Sequence, residues 1–180
     1  RLTIEGQREL YAMLVDFFAK GKTLYIKPHP NDFQISYPDI FPAANLISRK
    51  FPSELLPYCF SSRLLLALAA CSTSVFGLQD TVKDMLRFDI DIENHYMYIP
   101  RYYALKGLLE KIGYDTVVAK NAYTDILKAF DIRYETEADG NASQRIVVLD
   151  EVEDYDDELR LNDDDLLIYM NSAGKYGLFD

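Results

Sequence analysis

The chain has 180 residues, of which 49% are hydrophobic and 27% charged, as in globular proteins that bury a core of their own. Its formal net charge is −10, and residues 131–165 alone carry 14 acidic and 3 basic side chains. The chain has no basic stripe to neutralise phosphates, so the composition argues against nucleic-acid binding. No apolar run reaches the roughly 18 residues that a membrane span needs. Cys59 and Cys71 lack zinc-site spacing, and we expect both to be buried thiols.

The predicted elements alternate between helices and short apolar strands. In chain order they are a helix over residues 7–19, a strand over 23–27, a short helix from residue 53, a strand over 64–70, a short helix near 72–74, a strand over 85–90, a helix over 102–112, a strand over 116–119, a helix over 122–130, and strands over 145–149 and 166–170. Residues 31–52 contain several prolines and are predicted to be irregular.

Two segments carry the fold prediction. In the first helix, Leu10, Leu14 and Phe17 recur at helical spacing, and Gly21 follows as a stop. Residues 64–70 are apolar throughout, which is typical of a parallel strand covered on both faces. Alternation of strands and helices predicts an α/β, Rossmann-like fold with a mainly parallel sheet and helices on both faces. We expect one domain over residues 1–130 and an acidic extension or subdomain over 131–180 that completes the α/β layer.

The sharpest motif is Lys27-Pro28-His29-Pro30, directly after the strand predicted at 23–27. Ligands of α/β sheets lie outside the carboxyl ends of the strands. The two prolines restrict the loop and hold His29 in one geometry, as a catalytic side chain requires. A histidine placed there can protonate or hydrogen-bond a leaving phosphate near neutral pH. The alternative is a loop histidine that stabilises a turn.

A second motif, Ser72-Thr73-Ser74, also follows a predicted strand. Three hydroxyls beside free backbone N–H groups form an anion site. The alternative is an ordinary helix N-cap.

Neither a metal nor a cofactor is predicted. His95 has no second ligand at metal spacing, so a structural or surface position is favoured. The acidic run 163–165 lacks the alternating ligands and the glycine of a calcium-binding loop. We expect residues 150–165 to form a largely exposed, solvated acidic face.

Together, three sequence pieces resemble the bacterial sialyltransferases and polysialyltransferases of the GT-B fold. These families carry a His-Pro motif, a short glutamate-containing helix and a serine motif. The corresponding pieces are KPHP at 27–30, FPSELL at 51–56 and CSTS at 71–74, in the same order and at a similar spacing. The resemblance covers roughly residues 20–80.

The resemblance implies that residues 1–130 are the nucleotide-sugar-binding half of a GT-B enzyme. His29 would contact the donor phosphate and assist departure of the nucleotide, while Ser72, Thr73 and Ser74 would hold that phosphate. Glu54 would lie near the ribose or base, and Lys27 and Pro30 would complete the binding loop. The implied reaction transfers a sugar, foremost sialic acid from a CMP donor, to a cell-surface glycan. The implied location is the cytoplasm, at the inner face of the cell membrane.

One departure from the family concerns the general base, which these enzymes place in an acidic Asp/Glu-Gly motif before the His-Pro motif. No such motif precedes His29, and residues 138–140 are a poor match on the other side of it. We therefore expect one of two explanations: the base, with any peripheral membrane association, belongs to a domain outside this chain, or the chain is not an active transferase. Two alternatives remain open: a glycerophosphotransferase with a CDP-linked donor, as in teichoic-acid or capsule synthesis, and a non-catalytic α/β binding module.

Overall fold

A computed structural model of the chain describes residues 2–70, 72–89, 92–113, 116–120, 122–137, 145–151, 154–155, 159 and 161–170. The chain divides into two compact units, with the boundary between Tyr96 and Met97. All the strand pairs found among the described residues are parallel, in sheets of two or three strands. The fold is therefore mixed α/β with parallel sheets, which confirms the predicted class at that level.

In chain order the helices are α1 (Ile4–Leu14), which continues as a π-helix (Val15–Ala19), α2 (Tyr37–Ile40), 3₁₀ helices at Ser53–Cys59 and Thr73–Leu78, α3 (Ile92–His95), a 3₁₀ turn at Tyr96–Tyr98, α4 (Ile99–Ile112) and α5 (Thr124–Ala129). The helices predicted over residues 7–19, 102–112 and 122–130 are present, within three residues of those bounds, whereas α2 and α3 were not predicted. The strands are β1 (Tyr25–Ile26), β2 (Asn45–Leu46), β3 (Leu64–Ala69), β4 (Val82–Arg87), β5 (Thr116–Lys120), β6 (Arg145–Leu149) and β7 (Leu166–Tyr169).

The sequence of helix α1 explains where this helix begins, which face it buries and where it ends. The Thr3 hydroxyl caps the helix by accepting a hydrogen bond from the Gly6 N–H at 3.1 Å. Leu10 and Leu14 are buried, as their helical spacing predicted. The chain leaves the helix through Gly21, whose φ of 75° is accessible to glycine at little cost.

Two short sheets follow in the first unit. β1 pairs with β2 through only two residues of each strand, and β3 pairs with β4 from Leu64↔Val82 to Ala69↔Arg87. The prediction that β3 is covered on both faces is wrong, because Leu65 is 60% exposed. β3 has a single neighbouring strand among the described residues, and a small apolar cluster that includes Ala67 covers its middle.

The second unit is built on the sheet β5-β6-β7. β6 lies in the middle, and all five of its residues are buried, as expected of a parallel strand between two neighbours. Helix α4 has a proline in its first turn and ends at Gly113, whose φ is 65°. The segment after residue 130 contributes β6 and β7 to the sheet that begins with β5, and the predicted domain boundary at residue 130 stays a prediction.

Two smaller expectations concern the thiols and the membrane. Cys59 is exposed rather than buried, since it is the last residue of the 3₁₀ helix Ser53–Cys59, where its Sγ donates to the Leu55 carbonyl. Cys71 lies outside the described residues. None of the helices in the described ranges combines the length and the apolar character that crossing a bilayer requires.

Candidate functional site

His29 lies in the turn that follows the carboxyl end of β1. Its carbonyl accepts the Asp32 N–H at 3.0 Å, and Pro30 occupies the second position of this turn, which its fixed φ favours. The imidazole Nδ1 accepts the Asn31 N–H at 3.2 Å. Because Nδ1 accepts, the proton of the neutral ring is on Nε2. The side chain is exposed, so Nε2–H is available as a donor to a ligand.

Lys27 links the loops that follow β1 and β2. Its Nζ donates to the Pro28 carbonyl at 2.9 Å and to the Arg49 carbonyl at 3.2 Å. Two of its three N–H groups are therefore used to hold backbone. The predicted contact of Lys27 with a substrate stays a prediction, but a structural role for this ammonium is visible.

The serine motif forms the N-terminus of the 3₁₀ helix Thr73–Leu78, after the carboxyl end of β3. Ser72 is the N-cap, and its Oγ accepts the Ser74 N–H at 3.3 Å. The hydroxyls of Ser72 and Ser74 are 2.7 Å apart, so one of the two O–H groups is used between them. The other O–H, together with the exposed hydroxyl of Thr73, remains to bind an anion.

Glu54 lies on the 3₁₀ helix Ser53–Cys59, and its side chain is exposed. This helix packs against the helix Thr73–Leu78. The structure thus brings together the elements that carry Glu54 and the serine motif. Among the described residues His29 forms hydrogen bonds only within its own turn.

A groove with a cavity volume of about 730 Å³ opens at the carboxyl ends of β1 and β2. It is lined by Pro28, Phe33, Gln34, Ile35, Ser36, Tyr37, Pro38, Leu46, Ile47, Ser48 and Arg49. The turn that contains His29 connects two of these lining residues, Pro28 and Phe33. The groove therefore borders the predicted catalytic residue.

Phe33 and Arg49 give the groove its chemistry. The Arg49 guanidinium carbon lies 4.8 Å from the centre of the Phe33 ring, and Phe33 is 73% exposed. Arg49 is the one charged side chain among the described residues of the lining. The sequence prediction missed both residues, because they lie in a proline-rich segment without periodicity. The chain order was the one signal that could have identified Arg49 as a site residue, since Arg49 follows β2 as His29 follows β1.

The wall formed by α2 is fixed by a buried tyrosine. The Tyr37 hydroxyl donates to Asp32 Oδ2 at 2.6 Å, and its ring lies 5.8 Å from that of Tyr11. Burial, followed by the hydrogen bond to Asp32, raises the pKa of Tyr37 well above its usual value. Tyr37 therefore stays protonated and connects α2 to the turn that carries His29.

The second unit has polar groups at the carboxyl ends of its own strands. The Tyr123 hydroxyl, after β5, donates to Asp150 Oδ2, after β6, at 3.1 Å. Burial, with Asp150 second, raises the pKa of Tyr123. The Tyr98 ring stacks on Tyr123 at 5.5 Å, and Arg101 donates to the Met170 carbonyl at 2.6 Å. These contacts connect α4 to the strand ends, and their evident role is structural.

The acidic segment is less exposed than predicted. The side chain of Asp165 is 1% exposed and forms a bidentate ion pair with the equally buried Arg145. The prediction of a solvated face is therefore wrong for Asp165, while Asp163 and Asp164 are exposed. Over the described residues no cluster of three or more His, Cys, Asp or Glu side chains is arranged to hold a metal. Residues 138–140 lie outside the described residues.

Comparison with protein-family models, with curated proteins and with solved structures finds no match to this chain.

Proposed function

We propose that the chain is the donor-binding part of a sialyltransferase-like glycosyltransferase, with residues 1–130 forming the Rossmann-like half of a GT-B fold. One observation carries this proposal. The His-Pro and serine motifs each follow the carboxyl end of a parallel strand in the same compact unit, and the Glu54 helix packs on the serine helix. Strand carboxyl ends are where α/β proteins bind their ligands.

The chemistry follows from the donors that these residues present. Negative charge builds on the leaving phosphate as the bond from sugar to nucleotide breaks. The Nε2–H of His29 donates a hydrogen bond to that oxygen and stabilises the developing charge, and the free hydroxyls of the serine motif hold the phosphate. Glu54 contacts the ribose or the base. No metal or cofactor takes part in this scheme.

The remaining assignments rest on the same resemblance. The donor is CMP-sialic acid, the acceptor is a cell-surface glycan, and a further domain supplies the general base. The enzyme works in the cytoplasm at the inner face of the membrane. A CDP-linked donor of the glycerophosphotransferase type uses the same motifs, so the binding experiment below includes it.

One observation favours a different class, the non-catalytic binding module. The His29 Nδ1 and the Ser72 Oγ are both engaged in local hydrogen bonds, as they are in an ordinary turn and an ordinary N-cap. In this second candidate function, KPHP is a rigid turn and the acidic segment is a surface for a protein partner.

Calorimetric titration of the chain with CMP, CDP-glycerol and UMP separates the candidates. We expect CMP to bind, and replacement of Ser72 and Ser74 by alanine to weaken binding at least tenfold, or by about 1.4 kcal/mol. The matched control replaces Ser61 and Ser62, two exposed serines at the amino end of β3, and should leave the affinity unchanged. A chain that binds none of the three nucleotides would support the binding module instead.

The role of His29 is tested by two substitutions. His29→Asn keeps a side-chain acceptor for the Asn31 N–H, whereas His29→Ala removes it. In the complete transferase we expect both variants to lose turnover by on the order of a hundredfold, with only His29→Ala lowering the melting temperature. If His29→Asn retains wild-type turnover, the histidine serves the turn and the catalytic assignment is wrong.

A further inference from the structure

The Arg49 guanidinium is a half-buried cation that has no carboxylate within ion-pair distance among the described residues. We infer that the groove beside His29 binds an oxyanion of the donor, held by Arg49 against Phe33. This inference rests on the proposed function and adds to it a second anchoring point, outside the His-Pro and serine motifs.

The charge of the groove favours an anionic ligand. The chain carries 29 acidic and 19 basic residues, yet the described part of the lining contains one charged residue, and that residue is an arginine. A guanidinium retains its charge at any physiological pH, so desolvating it without a counter-ion is unfavourable. An oxyanion from the ligand would supply the missing charge.

The cation–π contact with Phe33 places the guanidinium in the groove where that partner would bind. The guanidinium carbon lies 4.8 Å from the ring centre, and among the described residues the Arg49 side chain makes no hydrogen bond that would occupy its N–H groups. Those groups lie in the plane of the guanidinium and can form paired hydrogen bonds to a carboxylate or a phosphate. The exposed Phe33 ring adds apolar surface for the remainder of the ligand.

Lys27 holds the two sides of the groove in register. Its ammonium is bound to the carbonyl of Pro28 on one side and to that of Arg49 on the other. The β1–β2 pair contains only two residues of each strand, so the hydrogen bonds of Lys27 help to hold the loops after β1 and β2 in position. A volume of about 730 Å³ falls within the range of small-molecule sites. The site is therefore organised before a ligand arrives, which reduces the entropy lost on binding.

The test compares CMP, CMP-sialic acid and free N-acetylneuraminic acid as ligands of the chain, by calorimetric titration. We expect Arg49→Met to weaken binding of CMP-sialic acid at least tenfold, and Arg49→Lys to weaken it less, because lysine keeps the charge but not the paired donors. The matched control is Lys50→Met, which removes the same charge from the adjacent, exposed residue outside the groove. It should change the affinity less than twofold.

The three ligands identify the oxyanion. If Arg49→Met also weakens CMP itself, Arg49 binds the phosphate. If it weakens only the ligands that carry sialic acid, Arg49 binds the sugar carboxylate. Phe33→Leu should weaken the same ligands as Arg49→Met, whereas Tyr58→Leu, which alters an 85% exposed aromatic residue outside the groove, should not.

Two negative outcomes are distinct. If the wild-type chain binds CMP but Arg49→Met, still folded by its melting curve, behaves like Lys50→Met with every ligand, then the inference is wrong and the proposed function stands. If the wild-type chain binds none of the three ligands, the proposed function fails and this inference fails with it.

Discussion

Replacing Asp165 by asparagine removes the negative charge from an ion pair in which both side chains are 1% exposed. The carboxylate accepts hydrogen bonds from the Arg145 guanidinium, from the Arg145 backbone N–H at 3.3 Å and from the Asn162 N–H at 2.7 Å. These contacts connect the first residue of β6 to the turn before β7. The substitution removes the Asp165 charge that faces the buried Arg145 guanidinium.

Breaking a buried ion pair in this way typically costs about 3–5 kcal/mol. We expect Asp165→Asn to lower the free energy of unfolding of the second unit by an amount in this range. Replacing both partners, as in Arg145→Met with Asp165→Leu, should cost less than the single change because no charge stays buried. The matched control is Asp89→Asn, whose partner is Arg87 and whose side chain is 62% exposed, with an expected cost of about 0–1 kcal/mol.

The same pair predicts a dependence of stability on pH. The Arg145 guanidinium, more than any other contact, holds the pKa of Asp165 below its ordinary value. A depressed folded-state pKa gives stability that is present above the unfolded-state pKa of about 4 and is lost as the pH falls through the folded-state value. The difference in stability between the wild type and Asp165→Asn should therefore shrink as the pH is lowered below about 4.

Urea unfolding measures each loss in the unit that carries the substitution, read out by hydrogen exchange of the β6 amides for Asp165→Asn and of the β4 amides for Asp89→Asn. The reasoning is refuted if Asp165→Asn costs no more than Asp89→Asn, since the pair would then behave as an exposed one. It is also refuted if the double substitution is more destabilising than the single one.

Two further predictions concern backbone and hydroxyl groups. Gly107→Ala should stabilise α4 by about 0.5–1 kcal/mol, because the glycine is helical and an added Cβ meets no atom within 4 Å. Gly113→Ala should destabilise the helix by about 1–3 kcal/mol, since the φ of 65° and ψ of 147° at Gly113 are accessible essentially to glycine alone. Thermal melts of the two variants check this pair, because the melting temperatures should shift in opposite directions. Tyr37→Phe removes the hydrogen bond to Asp32 and should cost about 1 kcal/mol. Because burial raises the pKa of Tyr37, its contribution is complete below about pH 10 and is lost above it, so the wild type should lose stability above pH 10 more steeply than Tyr37→Phe in alkaline urea titrations.

The regular elements with a strong hydrophobic pattern could be predicted from sequence. β6 begins and ends as predicted, because a strand buried between two neighbours is apolar throughout. β4 was placed three residues too late, since its first half contains the exposed Lys83 and Asp84, which conceal the pattern. α2 and β2 were missed altogether, because elements of four and two residues are too short to show a period.

The placement of the motif residues was predictable for a related reason. The order of strand and loop along the chain is local information, so the apolar runs alone predict that His29 and Ser72 each follow a strand. The chain order does not predict whether His29 acts on a ligand. It also does not predict the contact between the Glu54 helix and the serine helix, because these elements are distant in sequence.

Arg49 and Arg145 show where sequence reasoning stops. In a chain with an excess of acid, each arginine taken out of water is expected to meet a carboxylate. Arg145 does so through Asp165, twenty residues away, a pairing that no periodicity reveals. Arg49 instead meets an aromatic ring, in a groove whose described lining contains no acidic residue. Arg49 is only half-buried, so its guanidinium stays accessible to water and to a ligand, and the groove is therefore a more informative place to look for a ligand than the acidic segment.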